Sequence, residues 1–151
     1  MDSDGTIDAE QAARLRVAIA RLARQLRQQA GTSLSPTLQS VLASIAVHGP
    51  LSLGDLAGRE QVAPPTVTQL LGKLDDLGLI ERERDASDRR VTLVSLTAEG
   101  RRQFDESRTR RTAWLIDRLV TLGDDHVRDL ERAVLFLEAV AAPVPREGHP
   151  R

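Results

Sequence analysis

The sequence predicts a mainly α-helical fold with one small β-hairpin, an α+β arrangement in a single domain. Leucine, valine and isoleucine recur at intervals of three and four residues along most of the chain, as in helices that bury one face. Between Leu79 and Leu96 the pattern changes to rough alternation with β-branched residues, which is typical of short strands. The 151 residues are enough for one compact domain and too few for two independent ones.

Six helices are predicted from the apolar periodicity and from the residues at the helix ends. Their approximate ranges are 8–30, 36–48, 53–60, 64–77, 98–122 and 125–142. N-capping side chains precede four of them, at Ser35, Ser52, Thr97 and Asp124. Glycines that favour a helix stop follow three of them, at Gly31, Gly78 and Gly123. The segments 79–84 and 90–96 are predicted to pair as a hairpin across the polar turn 85–89.

The composition excludes several classes of function. There are 21 basic and 22 acidic residues, which excludes a uniformly basic nucleic-acid coat and leaves room for a local basic face. The absence of cysteine excludes disulfides, thiolate metal sites and cysteine nucleophiles.

The remaining chemistry-bearing residues predict no catalytic site, no cofactor and no metal. His48, His126 and His149 are scattered without the spacing of metal ligands, and no glycine-rich phosphate loop is present. No apolar run approaches the length of a membrane span, and the acidic start does not resemble a signal peptide. We therefore expect a cytoplasmic protein with no membrane partner.

The helices at 53–60 and 64–77 are joined by the tight connection 59–63, which predicts a helix-turn-helix. In such motifs the second helix enters the DNA major groove. The groove-facing side of this recognition helix is predicted to carry Pro64, Pro65, Thr66, Thr68, Gln69 and Lys73. Glutamine can pair with adenine, threonine can hydrogen bond or touch a thymine methyl group, and lysine can reach guanine or phosphate. The alternative interpretation is an amphipathic surface helix without a ligand.

The hairpin tip places a carboxylate beside guanidinium groups. Arg84, Asp88, Arg89 and Arg90 are the candidate contacts there. An arginine on a protruding ribbon can enter a narrow minor groove, where the negative potential is strongest, and an acidic neighbour can hold its rotamer. A solvated charge cluster is the alternative. The hairpin 79–93 carries four arginines against four carboxylates, so its net charge gives DNA little attraction.

Several motifs together resemble the MarR family of winged-helix transcriptional regulators. They are D-L-A at 55–57, V-A-P-P-T-V-T at 62–68, L-D-D-L-G-L-I-E-R at 74–82 and D-R-R-V-T-L-V-S-L-T-A-E-G at 88–100. The resemblance implies a winged helix-turn-helix DNA-binding lobe at 35–100 and dimerisation helices at 8–30 and 101–142. It also implies a homodimer whose first and last helices interlock, two lobes on a palindromic operator, and Arg90 in the minor groove with Asp88 as its orienting partner. Family members are often released from DNA by a small lipophilic or phenolic effector.

Apolar stripes on the first and last helices predict where the two protomers meet. The predicted interface residues are Leu15, Ile19, Leu22, Leu130, Val134 and Leu137. A single lobe of this size offers these stripes little to pack against. The prolines of the tail 143–151 predict disorder.

Two functions from different classes remain open. The first is a dimeric, signal-responsive repressor of transcription. The second is a winged-helix module that contacts another protein and does not bind DNA sequence-specifically. Asp88 with Arg90 favours the first, because this pair is surplus to a protein-interaction role.

Overall fold

A computed structural model describes residues 8–123 and 126–142 of the chain. These residues form two compact units, one up to Trp114 and one from Leu115 onwards. The predicted cap at Asp124 and the predicted disorder of 143–151 lie outside the described residues.

The mainly helical fold with a small sheet is confirmed. The helices are α1 (Ala9–Gln28), α2 (Pro36–His48), α3 (Leu53–Glu60), α4 (Pro64–Asp76), α5 (Ala98–Val120) and α6 (Val127–Ala141). The strands are β1 (Leu51–Ser52), β2 (Ile80–Arg84) and β3 (Thr92–Leu96). None of these helices is long and apolar enough to cross a membrane.

The predicted caps explain where three helices begin. The Ser35 hydroxyl accepts the Leu38 N–H at 3.3 Å, and the Thr97 hydroxyl accepts the Gly100 N–H at 3.0 Å. Ser52 and Asp55 form a reciprocal capping box at the start of α3. The hydrogen bonds from Ser52, its hydroxyl first and its backbone N–H second, lower the pKa of the Asp55 carboxyl.

The sheet has the order β1-β3-β2 and is antiparallel throughout. Val94 at its centre pairs with Leu51 on one side and with Arg82 on the other. The sequence predicted only two strands, and β1 was missed because two residues are too few to show an alternating pattern. The prediction that the second strand begins at Arg90 was wrong. Arg90 belongs to the turn, which is closed by the Val91 N–H donating to the Asp88 carbonyl at 2.9 Å.

The core of the first unit lies where α2, α3, α4 and the sheet meet. Its most deeply buried side chains are Val41, Ile45, Leu56, Val67, Leu71, Leu74, Leu79 and Val94. Leu77 continues the apolar spacing of Val67, Leu71 and Leu74, but it is 54% exposed because α4 ends at Asp76 and the chain turns away through Gly78. Burial of this aliphatic cluster fixes α4 with one face inward.

The chain passes from the sheet to α5 through a very close backbone approach. The Thr97 N–H donates to the Leu79 carbonyl at 3.1 Å, and the Thr97 hydroxyl donates to the Gly78 carbonyl at 2.7 Å. A Cβ atom on Gly100 would lie 2.0 Å from the Leu79 carbonyl oxygen. Glycine is therefore required there by contact with backbone, at the last residue of the motif 88–100.

In the second unit, α6 exposes apolar side chains on more than one face. Leu130, Val134 and Leu137 are partly exposed along the stripe that the sequence predicted, and Leu135, Phe136 and Val140 are exposed beside it. Every residue of α6 from 129 to 141 is exposed.

Candidate nucleic-acid interface

The turn between α3 and α4 sets the direction of the second helix. Gln61 caps α3 in the left-handed conformation, with φ of 53°, and its N–H donates to the Ala57 carbonyl. Ala63 then precedes α4 without a side-chain cap. Because Pro64 and Pro65 have no backbone N–H, the first turn of α4 has fewer donors that need a partner. The tight connection predicted at 59–63 is present, although the left-handed Gln61 had no signal in the sequence.

The helix α4 has one buried face and one open face. Val67, Leu71 and Leu74 are buried in the core. All six predicted recognition residues are exposed: Pro64, Pro65, Thr66, Thr68, Gln69 and Lys73. Of their hydroxyl groups, that of Thr68 donates to the Pro64 carbonyl at 3.2 Å. The open face therefore combines the Gln69 amide and the Lys73 ammonium group with small side chains, as a groove-reading helix requires.

An ion pair joins the end of α4 to the hairpin. Arg82 Nε lies 3.3 Å from Asp75 Oδ2, and both side chains are partly exposed. The positive charge of Arg82, on β2, therefore compensates the negative charge of one of the two carboxylates at the end of α4. The sequence does not predict this ion pair, because the partners lie on different elements and no local spacing connects them.

At the hairpin tip, Asp88 holds Arg90 by three hydrogen bonds. Arg90 Nε donates to Oδ1 at 3.1 Å, a terminal Nη2 donates to Oδ2 at 3.2 Å, and the Arg90 backbone N–H donates to Oδ1 at 3.0 Å. The Arg90 side chain is nevertheless 92% exposed. Donation from the Arg90 side chain, and then from its backbone N–H, lowers the pKa of the Asp88 carboxyl, so this carboxyl stays ionised at neutral pH. The structure thus joins the two residues that the sequence predicted as partners.

A second carboxylate, Asp85, shapes the same tip. Its Oδ1 accepts the Ser87 N–H at 2.7 Å, the Asp88 N–H at 2.8 Å and the Ser87 hydroxyl. The Ser87 hydroxyl is the largest cause of the lowered pKa of Asp85. A turn whose backbone N–H groups donate to an aspartate side chain keeps its conformation without glycine. This turn places Asp88 and Arg90 at the hairpin tip. The sequence predicts only a polar turn for this segment.

The other two predicted wing residues support the same ribbon. Arg84 Nη1 donates to the Arg89 carbonyl at 3.0 Å across the tip. The Arg89 side chain is exposed. In the described part of the chain, no group of three or more histidine, aspartate or glutamate side chains could hold a metal ion.

Comparison with known proteins decides the family. A sequence model of the MarR family matches residues 34–92, from the residues before α2 to the first residue of β3. The chain is also 41% identical to the HTH-type transcriptional regulator ML2140 of Mycobacterium leprae, over 88% of this chain and 94% of that protein. This chain belongs to the MarR family. The helix-turn-helix is formed by α3 and α4, and the wing of this MarR protein is the β2–β3 hairpin.

Solved structures agree on the fold. A MarR family protein from Bacillus stearothermophilus superposes with a TM-score of 0.74 at 23% identity, covering 89% of this chain and 97% of that one. A variant of Staphylococcus aureus MepR bound to an oligodeoxyribonucleotide superposes with a TM-score of 0.65 at 21% identity, covering 86% and 96%. At these identities the similarity establishes the winged helix-turn-helix fold. The family model and the Mycobacterium leprae relative identify the protein as a helix-turn-helix transcriptional regulator.

Proposed function

We propose that this MarR protein is a sequence-specific repressor that binds a palindromic operator as a homodimer and is released by a small molecule. The observation that carries the proposal is the Asp88–Arg90 pair. Two hydrogen bonds to Asp88 hold the Arg90 guanidinium in one orientation, although its side chain is almost fully exposed. An exposed ion pair adds little to stability. Since the proposed ligand is chromosomal DNA, we expect the protein to act in the cytoplasm.

The open face of α4 supplies the proposed major-groove contacts. Gln69 reads a base edge, and its amide can pair with adenine through two hydrogen bonds. Lys73 contacts guanine or phosphate, while Thr66 and Thr68 are small enough to let the helix enter the groove. Pro64 and Pro65 lack N–H donors, so contacts at the start of α4 come from side chains or later amides.

The wing supplies the proposed minor-groove contact. Arg90 enters the groove, and Asp88 holds the guanidinium in position beforehand, so that less rotamer freedom is lost on binding. Arg84 and Arg89 contact phosphates on either side. If Lys73, Arg84 and Arg89 each neutralise one phosphate in both protomers, log K falls with log salt with a slope of roughly −5.

The homodimer is supported by apolar side chains that the described protomer leaves uncovered. The six predicted interface residues, Leu15, Ile19, Leu22, Leu130, Val134 and Leu137, are each between 37% and 44% exposed. Helix α1 has 20 residues and none of them is buried. A helix with an apolar stripe and no buried residue is more stable when a partner covers the stripe. We propose that a second copy of the chain does so on both α1 and α6.

The first prediction concerns this dimer. Ile19→Glu should weaken dimerisation at least roughly 100-fold, because two carboxylates would be buried at a two-fold interface at a cost of several kcal/mol. Arg24→Glu is the matched control, since it adds the same side chain nearly opposite the stripe on α1. Sedimentation velocity over a range of concentrations measures both. A wild-type protein that stays a folded monomer at micromolar concentration would contradict the dimer.

The second prediction concerns base reading by α4. Gln69→Ala should cost roughly 1–3 kcal/mol of binding free energy on the preferred duplex and little on random DNA, because base contacts specify and phosphate contacts position. Lys73→Ala serves as the comparison. If Lys73 contacts phosphate, this variant should lose a similar amount of binding free energy on the preferred duplex and on random DNA. Equal losses of affinity for Gln69→Ala on the two duplexes would show that Gln69 contacts the DNA backbone instead of a base edge.

Release by an effector is supported by a cavity in the first unit. The cavity has a volume of about 220 Å³ and is lined by Ala30, Gly31, Thr32, Ser33, Arg102, Gln103, Glu106, Ser107 and Arg110. Most of these side chains are polar or charged, so a phenolic ligand with a hydroxyl to hydrogen bond suits the lining better than a purely lipophilic one. Titrating the protein–DNA complex with phenols, and with aliphatic compounds of equal size as controls, tests this part of the proposal.

The near-neutral charge of α4 and the wing favours one competing function, a module that contacts another protein. Selection of duplexes from a random library by the wild-type protein, followed by footprinting of the enriched sequence, separates the two functions. We expect an inverted repeat with protection on both half-sites. A library that stays random after selection would favour the protein-interaction module.

A further inference from the structure

We propose that Thr68 reads a thymine in the operator through its methyl group, and that its hydroxyl takes no part as a donor to the bases. This inference rests on the proposed function, and it adds which chemical group of the DNA the recognition helix detects.

The hydroxyl of Thr68 is already committed to its own helix. Thr68 Oγ1 donates to the Pro64 carbonyl oxygen at 3.2 Å, one turn earlier in α4. A hydroxyl group has a single hydrogen, so while it makes this bond Thr68 cannot donate to guanine N7 and O6 or to thymine O4. The acceptor carbonyl belongs to the proline pair at the start of α4, where the ring fixes the backbone angle φ.

The same hydrogen bond fixes the position of the methyl group. Threonine is branched at Cβ, so a hydroxyl held toward the backbone leaves Cγ2 in one other staggered position. Thr68 is exposed on the open face of α4, whereas its neighbour Val67 is buried. The methyl group is therefore the part of Thr68 that remains free to contact a base.

One turn further along α4, Gly72 leaves space beside this methyl group. A Cβ atom on Gly72 would find no heavy atom within 4 Å, so no close neighbour in the described structure accounts for a glycine at this position. Glycine inside a helix is unfavourable relative to alanine. Because Cα–Cβ bonds tilt toward the helix N-terminus, a side chain at Gly72 would stand beside Thr68 and Gln69. Without that side chain, the 5-methyl group of thymine has room to approach Thr68.

The experiment compares thymine with uracil, which differ only in this methyl group, in duplexes that the wild-type protein has selected from a random library. Each thymine of the half-site is replaced in turn, in both half-sites at once. We expect one position at which the wild type loses about fourfold in affinity per half-site, or about fifteenfold for the palindrome, as the burial of one methyl group implies.

Two variants then assign the effect to Thr68. Thr68→Val keeps a methyl group without the hydroxyl and should discriminate thymine from uracil as the wild type does. Thr68→Ser keeps the hydroxyl without the methyl group and should bind both duplexes equally. The control is Thr121→Ser, because the Thr121 hydroxyl also donates to a backbone carbonyl, that of Arg118 at 2.6 Å, but lies outside the helix-turn-helix. It should discriminate as the wild type does.

The outcomes separate this inference from the proposed function. If no sequence is enriched by the wild type, the proposed function fails and the inference fails with it. If a sequence is enriched but no thymine position is sensitive to uracil, only the inference is overturned. It is also overturned if Thr68→Ser still discriminates or if Thr68→Val does not, since the hydroxyl or another residue would then be the reader.

Discussion

Gly100→Ala is expected to lower the free energy of unfolding by about 3 kcal/mol, at the upper end of what overpacking usually costs. The added Cβ would lie 2.0 Å from the Leu79 carbonyl oxygen, which is backbone and already accepts the Thr97 N–H. Neither partner can move without breaking the junction between the sheet and α5. Leu79 itself is buried in the core, so the strain spreads to the packing of α4 and β3.

Gly58→Ala is the matched control for this prediction. Gly58 lies in α3, and a Cβ atom there would meet nothing within 4 Å. Alanine at this helical position should stabilise the protein by roughly 0.5–1 kcal/mol. Urea denaturation of both variants at one fixed protein concentration measures the difference, since dimerisation makes stability depend on concentration. If the Gly100→Ala protein is as stable as the wild type, the backbone at residue 100 does not approach the Leu79 carbonyl this closely.

Arg90→Ala is expected to weaken operator binding roughly a thousandfold, because about 2 kcal/mol is lost in each half-site of a dimer. The melting temperature should hardly change, since the side chain is 92% exposed and its ion pair is at the surface. Arg24→Ala removes the same charge from an exposed position on α1 and should bind nearly as the wild type does. A fluorescence titration of one selected duplex measures all these affinities.

Two further variants separate contact from orientation at the wing. Arg90→Lys should recover only part of the loss, because the ammonium group is more strongly hydrated and cannot keep both hydrogen bonds to Asp88. Asp88→Ala should cost less than Arg90→Ala, since it frees the guanidinium without removing it. If Arg90→Ala binds the duplex like the wild type, the wing arginine does not contact DNA.

Features set by neighbours in sequence were predicted well. Ser35, Ser52 and Thr97 act on backbone N–H groups three residues away, so each helix start can be read from a few letters. The Asp88–Arg90 pair belongs to the same class, because residues two apart in a tight turn lie close whatever the rest of the fold does.

Features that depend on distant elements were not predicted. The two-residue strand β1 exists only because β3 pairs with it, and the Asp75–Arg82 ion pair requires α4 and β2 to be packed together. Arg90 was predicted in a strand because its neighbours alternate, whereas Asp88 holds it in the turn and β3 begins two residues later, at Thr92. Leu77 has the right spacing for the core but comes after the end of α4, where the helical periodicity no longer applies.

The salt dependence of binding to the selected duplex and to a scrambled duplex of equal length tests sequence-specific DNA recognition most directly. We predict that log K falls with log salt with a slope of roughly −5 on the selected duplex, as expected for six neutralised phosphates per dimer. At physiological salt the selected duplex should bind at least about a thousandfold more tightly than the scrambled one. Equal affinity for the two duplexes, or binding that does not change with salt, would contradict the assignment of α4 and the wing to DNA.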